Sequence, residues 1–78
     1  MIGKMPRNKI LYQIVVILTT GARLEFSTDS KSISDEMMTS LMSRDTWVIF
    51  PPQGDNQHTI NTNQIAELIQ KEWPQNVA

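Results

Sequence analysis

Seventy-eight residues make one small domain or part of one, and a chain this short buries only about 60–65% of its unfolded surface. With no cysteine, disulfides and thiolate metal sites are excluded. A hydrophobic share of 40% excludes a disordered chain, and a net charge of −1 argues against general affinity for nucleic acid or an anionic membrane.

The charge is uneven along the chain. Lys4, Arg7 and Lys9 precede all eight acidic residues, so the first ten residues carry +3 and the remainder −4. Residues 1–9 read as a flexible basic arm, a device that some nucleic-acid binders use and that is more commonly a solvated tail. The apolar run at 14–18 is too short for a signal-peptide core, lacks a small-residue cleavage site after it, and falls far below the ~20 residues of a membrane span. The expectation is a soluble cytoplasmic protein with no membrane partner.

"ILYQIVVIL" (10–18) is rich in β-branched residues and runs through "TTG" into "ARLEFST". There Leu24 and Phe26 alternate with Arg23 and Glu25, the period of a half-buried strand. Gly21 supplies the positive φ of a tight connection, which predicts a β-hairpin. The continuous apolar residues 15–18 predict that its first strand is central and covered on both faces.

"TDSKS" (28–32) is a polar break, and "SISDEMMTSLMSR" predicts a helix. Ser32 and Asp35 have capping-box spacing, and Asp35 with Glu36 would place negative charge in the first turn. Ile33, Met37 and Leu41, flanked by Met38 and Met42, predict one apolar stripe facing a sheet. "TWVIF" (46–50) predicts a third strand, stopped by Pro51 and Pro52. "QGDN" has turn chemistry, and "QHTI" (57–60) predicts a short fourth strand.

"HTINTNQIAELIQKEW" (58–73) supports two readings. As a helix, Asn61 or Thr62 is the N-cap, Ile65, Leu68, Ile69 and Trp73 form a stripe, and Pro74 is the stop. As a strand, the alternation of 65–69 is broken by the adjacent pair Leu68 and Ile69. Local propensity favours the helix. The expected fold is α+β, a small antiparallel sheet in the order β-β-α-β-β-α, with β-β-α-β-β-β and a final strand as the alternative. A single domain over residues 10–73 would be followed by a tail at 74–78.

"LTTGARLEF", a short helix and "WVIF…HTINTNQIAEL" resemble small, mostly uncharacterised domains of Gram-positive bacteria and their phages. The resemblance covers most of residues 10–70. It implies a hairpin and helix, a second hairpin, and a polar I-N-T-x-x-I turn leading into a final strand. It implies no enzymatic activity.

Catalytic chemistry has little to work with. His58 is the only histidine, and with Asp55 alone it does not make a zinc site. Ser–His and Cys–His nucleophile pairs are therefore also missing. Gly3, Gly21 and Gly54 are far apart, and no phosphate-binding glycine loop occurs. The expectation is a non-enzyme with no cofactor and no metal.

The leading functional expectation is a non-catalytic interaction module, encoded by a phage or mobile element, with a protein partner or a second copy of itself. Trp73, beside Pro74, is the candidate partner contact. The alternative is a nucleic-acid-binding accessory protein, with Lys4, Arg7, Lys9 and Arg23 as phosphate contacts.

Overall fold

The structure, a computed structural model, describes residues 7–77, with side chains from residue 10 to residue 74. It is an α+β fold. In chain order the elements are β1 (Arg7–Leu18), β2 (Arg23–Thr28), α1 (Lys31–Leu41), β3 (Trp47–Phe50), β4 (His58–Asn61), a 3₁₀ turn (Thr62–Gln64) and β5 (Ile65–Val77). One antiparallel sheet has the order β2-β1-β5, and β3 and β4 form a second, two-stranded antiparallel sheet.

The first hairpin closes over residues 19–21. Leu18 N–H donates to the Ala22 carbonyl and Gly21 N–H to the Leu18 carbonyl, both at 2.8 Å. Gly21 has φ +92° and open space where a Cβ would lie, so the backbone alone requires glycine there. β1 is central, as expected. Tyr12, Ile14 and Val16 point into the core, where Ile14 and Val16 pack with Leu41, Val48, Phe50 and Ile60. Phe26 of β2 meets Phe50 edge to face, with ring centres 6.3 Å apart. These contacts place α1 and the β3–β4 hairpin on one face of the larger sheet.

The helix cap lies two residues before the expected one. Ser30, not Ser32, is the N-cap, and its Oγ accepts from Ile33 N–H at 3.3 Å. Ser30 N–H in turn donates to Thr28 Oγ1, which sets the chain's entry directly after β2. Asp35 therefore lies beyond the first turn, where it pairs with Lys31 at 2.8 Å as an i, i+4 neighbour. That partner holds the Lys31 amine above its usual range. A raised amine stabilises the fold below its unfolded pKa and loses that effect as pH climbs through the folded one, so this exposed pair acts up to alkaline pH and only weakly. The buried stripe is Ser34, Met37, Met38 and Leu41 rather than one starting at Ile33. Ser34 is fully buried, and its Oγ accepts from Gln70 Nε2 of β5 at 3.2 Å. A small hydroxyl there lets the helix lie close to the sheet.

The expected final helix is a strand, and the alternative order β-β-α-β-β-β holds. Its cause is the turn before it. Asn61 Oδ1 accepts from Asn63 N–H at 2.9 Å. Thr62 Oγ1 accepts from Thr46 N–H at 3.0 Å, and Thr62 N–H donates to the Thr46 carbonyl. Asn63 bonds both the backbone N–H and the carboxylate of Asp45, which has φ +49°. The Gln64 carbonyl accepts from Thr19 N–H. These bonds deliver Ile65 in an extended conformation beside the open edge of β1. A buried central strand needs partners for both rows of its backbone groups, and only a strand can supply the second row. Leu68 and Ile69 are adjacent because they occupy opposite faces, Leu68 on the core and Ile69 beside Val15.

The clamp gives a direct test. Thr62 is buried at 9% exposure, so Thr62→Val should leave the Thr46 N–H buried without an acceptor. It should cost about 1–3 kcal/mol in urea unfolding, whereas Thr62→Ser should stay close to wild type.

β1 and β5 continue as a two-stranded ribbon past Tyr12, where pairing with β2 ends. The molecule is accordingly elongated, 54 × 22 × 20 Å, with a radius of gyration of 15.1 Å against about 11.5 Å for a compact chain of this length. Of the expected arm, residues 1–6 lie outside the described residues, while the backbone of Arg7, Asn8 and Lys9 pairs with residues 75–77. Ala66 bulges opposite Ile17 and Leu18.

Candidate interaction surface

On the face of the larger sheet away from α1, a polar chain crosses three strands. Trp73 of β5 lies opposite Leu11, and its indole N–H donates to Gln13 Oε1 at 3.2 Å. Gln13 Nε2 donates to Glu25 Oε1 at 2.8 Å, and Arg23 Nε donates to Glu25 Oε2 at 3.0 Å. The Lys71 ammonium stands 5.8 Å from the Trp73 ring centre. Trp73 is thus set within the paired ribbon, half of it exposed, and bonded to its own sheet. Trp73→Ala should cost about 1–2 kcal/mol through lost ring burial and the indole hydrogen bond, read as a lowered thermal midpoint. An unchanged midpoint with altered association would assign the ring to a partner instead.

Of the basic candidates, Arg23 is set apart along the sheet from Arg7 and Lys9. Lys4 lies outside the described residues, and Arg7 and Lys9 belong to the far end of β1. Arg23 stands opposite Ile17, eight residues along β1 from Lys9, or about 26 Å. Its guanidinium is engaged by Glu25.

The least expected surface is on β3. Trp47 is 67% exposed and Ile49 53%, while Val48 and Phe50 are buried. Four apolar residues in a row do not tell which of them a strand leaves outside. A two-stranded sheet packed on one side buries alternate residues only, so four apolar residues in sequence leave two outside. The alternation was legible once the strand was known to have a single covered face.

The backbone of these same two residues is open. The hydrogen bond from Thr62 N–H to the Thr46 carbonyl fixes the bonded pairs of the β3–β4 ladder at Val48 with Ile60 and Phe50 with His58. Trp47 and Ile49 therefore turn their N–H and C=O groups away from β4. Among the described residues no other strand pairs with that side of β3.

An open depression of about 380 Å³ lies between β2 and the 51–58 loop, lined by Arg23, Glu25, Asp55 and His58 among others. It is too open to strip water from a ligand. Among the described residues no group of three or more His, Asp or Glu side chains is placed to hold a metal ion. Nor is any helix of those residues long and apolar enough to cross a membrane.

No protein-family model, curated protein or solved structure matches this chain. The surface must therefore be read from its own geometry.

Proposed function

We propose that this chain is a small non-catalytic interaction module that accepts an extended segment as an added strand along β3. The observation that carries this reading is the coincidence, in Trp47 and Ile49, of exposed apolar side chains with outward-facing backbone groups. Strand addition uses both at once: main-chain hydrogen bonds give affinity, and alternate side chains give selectivity. A phage or mobile-element setting belongs to the same proposal and is supported by the likeness of residues 18–26 and 47–68 to small domains of such origin.

Amide spectra of the labelled protein, titrated with short peptides of alternating valine and threonine, test the reading. The expected result is a set of shifts centred on Trp47 and Ile49. Shifts confined to the outer side of β5, or none from any peptide of the series at millimolar concentration, would remove it.

A further inference from the structure

We infer that the strand that completes β3 is β3 of a second copy, giving a twofold-symmetric dimer with a continuous β4-β3-β3-β4 sheet. This rests on the strand-addition reading above and names its occupant.

The open edges of the fold are not equivalent. Leu18 N–H bonds toward β2 and Thr19 N–H toward the start of β5. The even-numbered residues of β1 therefore bond β2 and the odd-numbered ones bond β5. In the β1–β5 register this turns Leu68, Gln70, Glu72 and Pro74 toward the outer edge of β5. Pro74 has no N–H to offer there, and Glu67, Lys71 and Glu72 place charge along the same strand. These are the usual devices that discourage edge pairing. β2 carries the Arg23–Glu25 ion pair and is flanked by the 51–58 loop. β3, in contrast, is Trp-Val-Ile-Phe, with no charge and no proline inside it.

Its open edge is also self-complementary. A twofold axis through Val48 sets Trp47 opposite Ile49 of the second copy and Ile49 opposite its Trp47. Both outward N–H groups and both outward carbonyls of each copy are then paired, leaving none over. The side chains meet as two aromatic–β-branched cross-strand pairs, a favourable combination on a sheet face. No like charges are brought together, because Asp45 and Arg44 would face Pro51 and Pro52 of the second copy. Those prolines and the 43–46 turn end the strand on either side, so the paired length is the same in both copies.

Two four-residue strands bury little area, so the dimer is weak and concentration-dependent. Sedimentation equilibrium of the full chain from about 10 μM to about 1 mM spans that range. The expected result is a mass that doubles with concentration, with intermolecular nuclear Overhauser contacts between Trp47 and Ile49 in a mixed-label sample. Ile49→Lys should abolish the doubling. Ile49→Pro should do so as well, because it removes an outward N–H and leaves the bonds to β4 intact. Amide spectra confirm that either variant folds, and Ile49→Val should still dimerise. A dimer that persists in both folded edge variants would overturn the inference. So would a wild-type chain that stays monomeric throughout; if the peptide titration still shifts Trp47 and Ile49, strand addition stands and only the second copy is excluded.

Discussion

Phe50→Ala is expected to remove about 3–5 kcal/mol of stability, a large share of what a chain of this size has. Phe50 is the largest fully buried side chain of the fold. Its ring stands edge-on to Phe26 of the other sheet and packs with Ile14, Val16, Leu41, Val48 and Ile60. It is the side chain through which the two-stranded sheet is stacked on the three-stranded one. Truncation loses the transfer energy of the ring and leaves a cavity whose walls come from four strands and a helix, too many to collapse together. A chain of 78 residues has roughly 4–12 kcal/mol in all at typical stability per residue, so the variant should unfold at a much lower urea concentration than wild type. Far-ultraviolet circular dichroism with urea titration measures this. Trp47→Ala, three residues earlier on the exposed face, should stay within about 1 kcal/mol. Equal losses at the two positions would mean that β3 does not present alternate faces to core and solvent.

The parts of the fold legible in the sequence were those in which local and global preferences agree. Gly21 between two β-rich runs meant a hairpin, because few residues tolerate its backbone angle. Pro51 and Pro52 ended β3 as they had to. The helix was recognisable from its methionine and leucine spacing, and only its start was misjudged, since Thr28, Ser30 and Ser32 all offer a capping hydroxyl and the cap depends on where β2 releases the chain. The last element went the other way because the deciding force was not local. Ala66, Glu67, Gln70, Lys71 and Glu72 suit a helix, but the open edge of β1 requires a strand, and the Thr62 and Asn63 clamp starts the chain in that direction. Adjacent Leu68 and Ile69, which broke the alternation, lie on opposite faces of the strand, Leu68 against the core and Ile69 beside Val15 on the outer face.

The candidate surface shows the same division. Trp73 drew attention because it neighbours Pro74 near the chain end, yet its position within the ribbon and its bond to Gln13 depend on a strand that the local pattern did not favour. Trp47 and Ile49 were passed over because burial in a strand depends on how many faces are covered, which sequence does not state. Interaction edges of small domains are set by what the rest of the chain leaves uncovered.

Val15→Asp should unfold the chain at neutral pH and allow it to refold as the solution is acidified. Val15 has no exposed surface although neither α1 nor the second hairpin lies on its side of the sheet. It is sealed by its own sheet, between Glu25 on β2 and Ile69 on β5 in the ladder, with Gln13 and Ile17 above and below. A carboxylate placed there would lose its water, gain no free donor because the Gln13 amide already bonds Glu25, and face the Glu25 charge. Burial and like charge both raise its folded pKa above the unfolded one. The folded state then binds the proton more tightly, so the charge-dependent part of the destabilisation is absent below the ordinary carboxylate range, grows as pH rises above it, and is complete once pH passes the folded pKa. A shift of 3–5 units, typical of a fully buried carboxyl, puts the folded pKa at or above neutrality, so the charge-dependent loss at neutral pH is roughly 4 kcal/mol, set by the distance from the ordinary carboxylate pKa to pH 7, and it adds to the cost of burying a polar group in place of valine. Urea unfolding of variant and wild type at matched pH values isolates the effect, because every other side chain is common to both. Val15→Asn, polar but uncharged, should be destabilised by an amount that does not change with pH. A Val15→Asp chain as stable as wild type at neutral pH would show that water reaches this face, and that the sheet does not close over its own central strand.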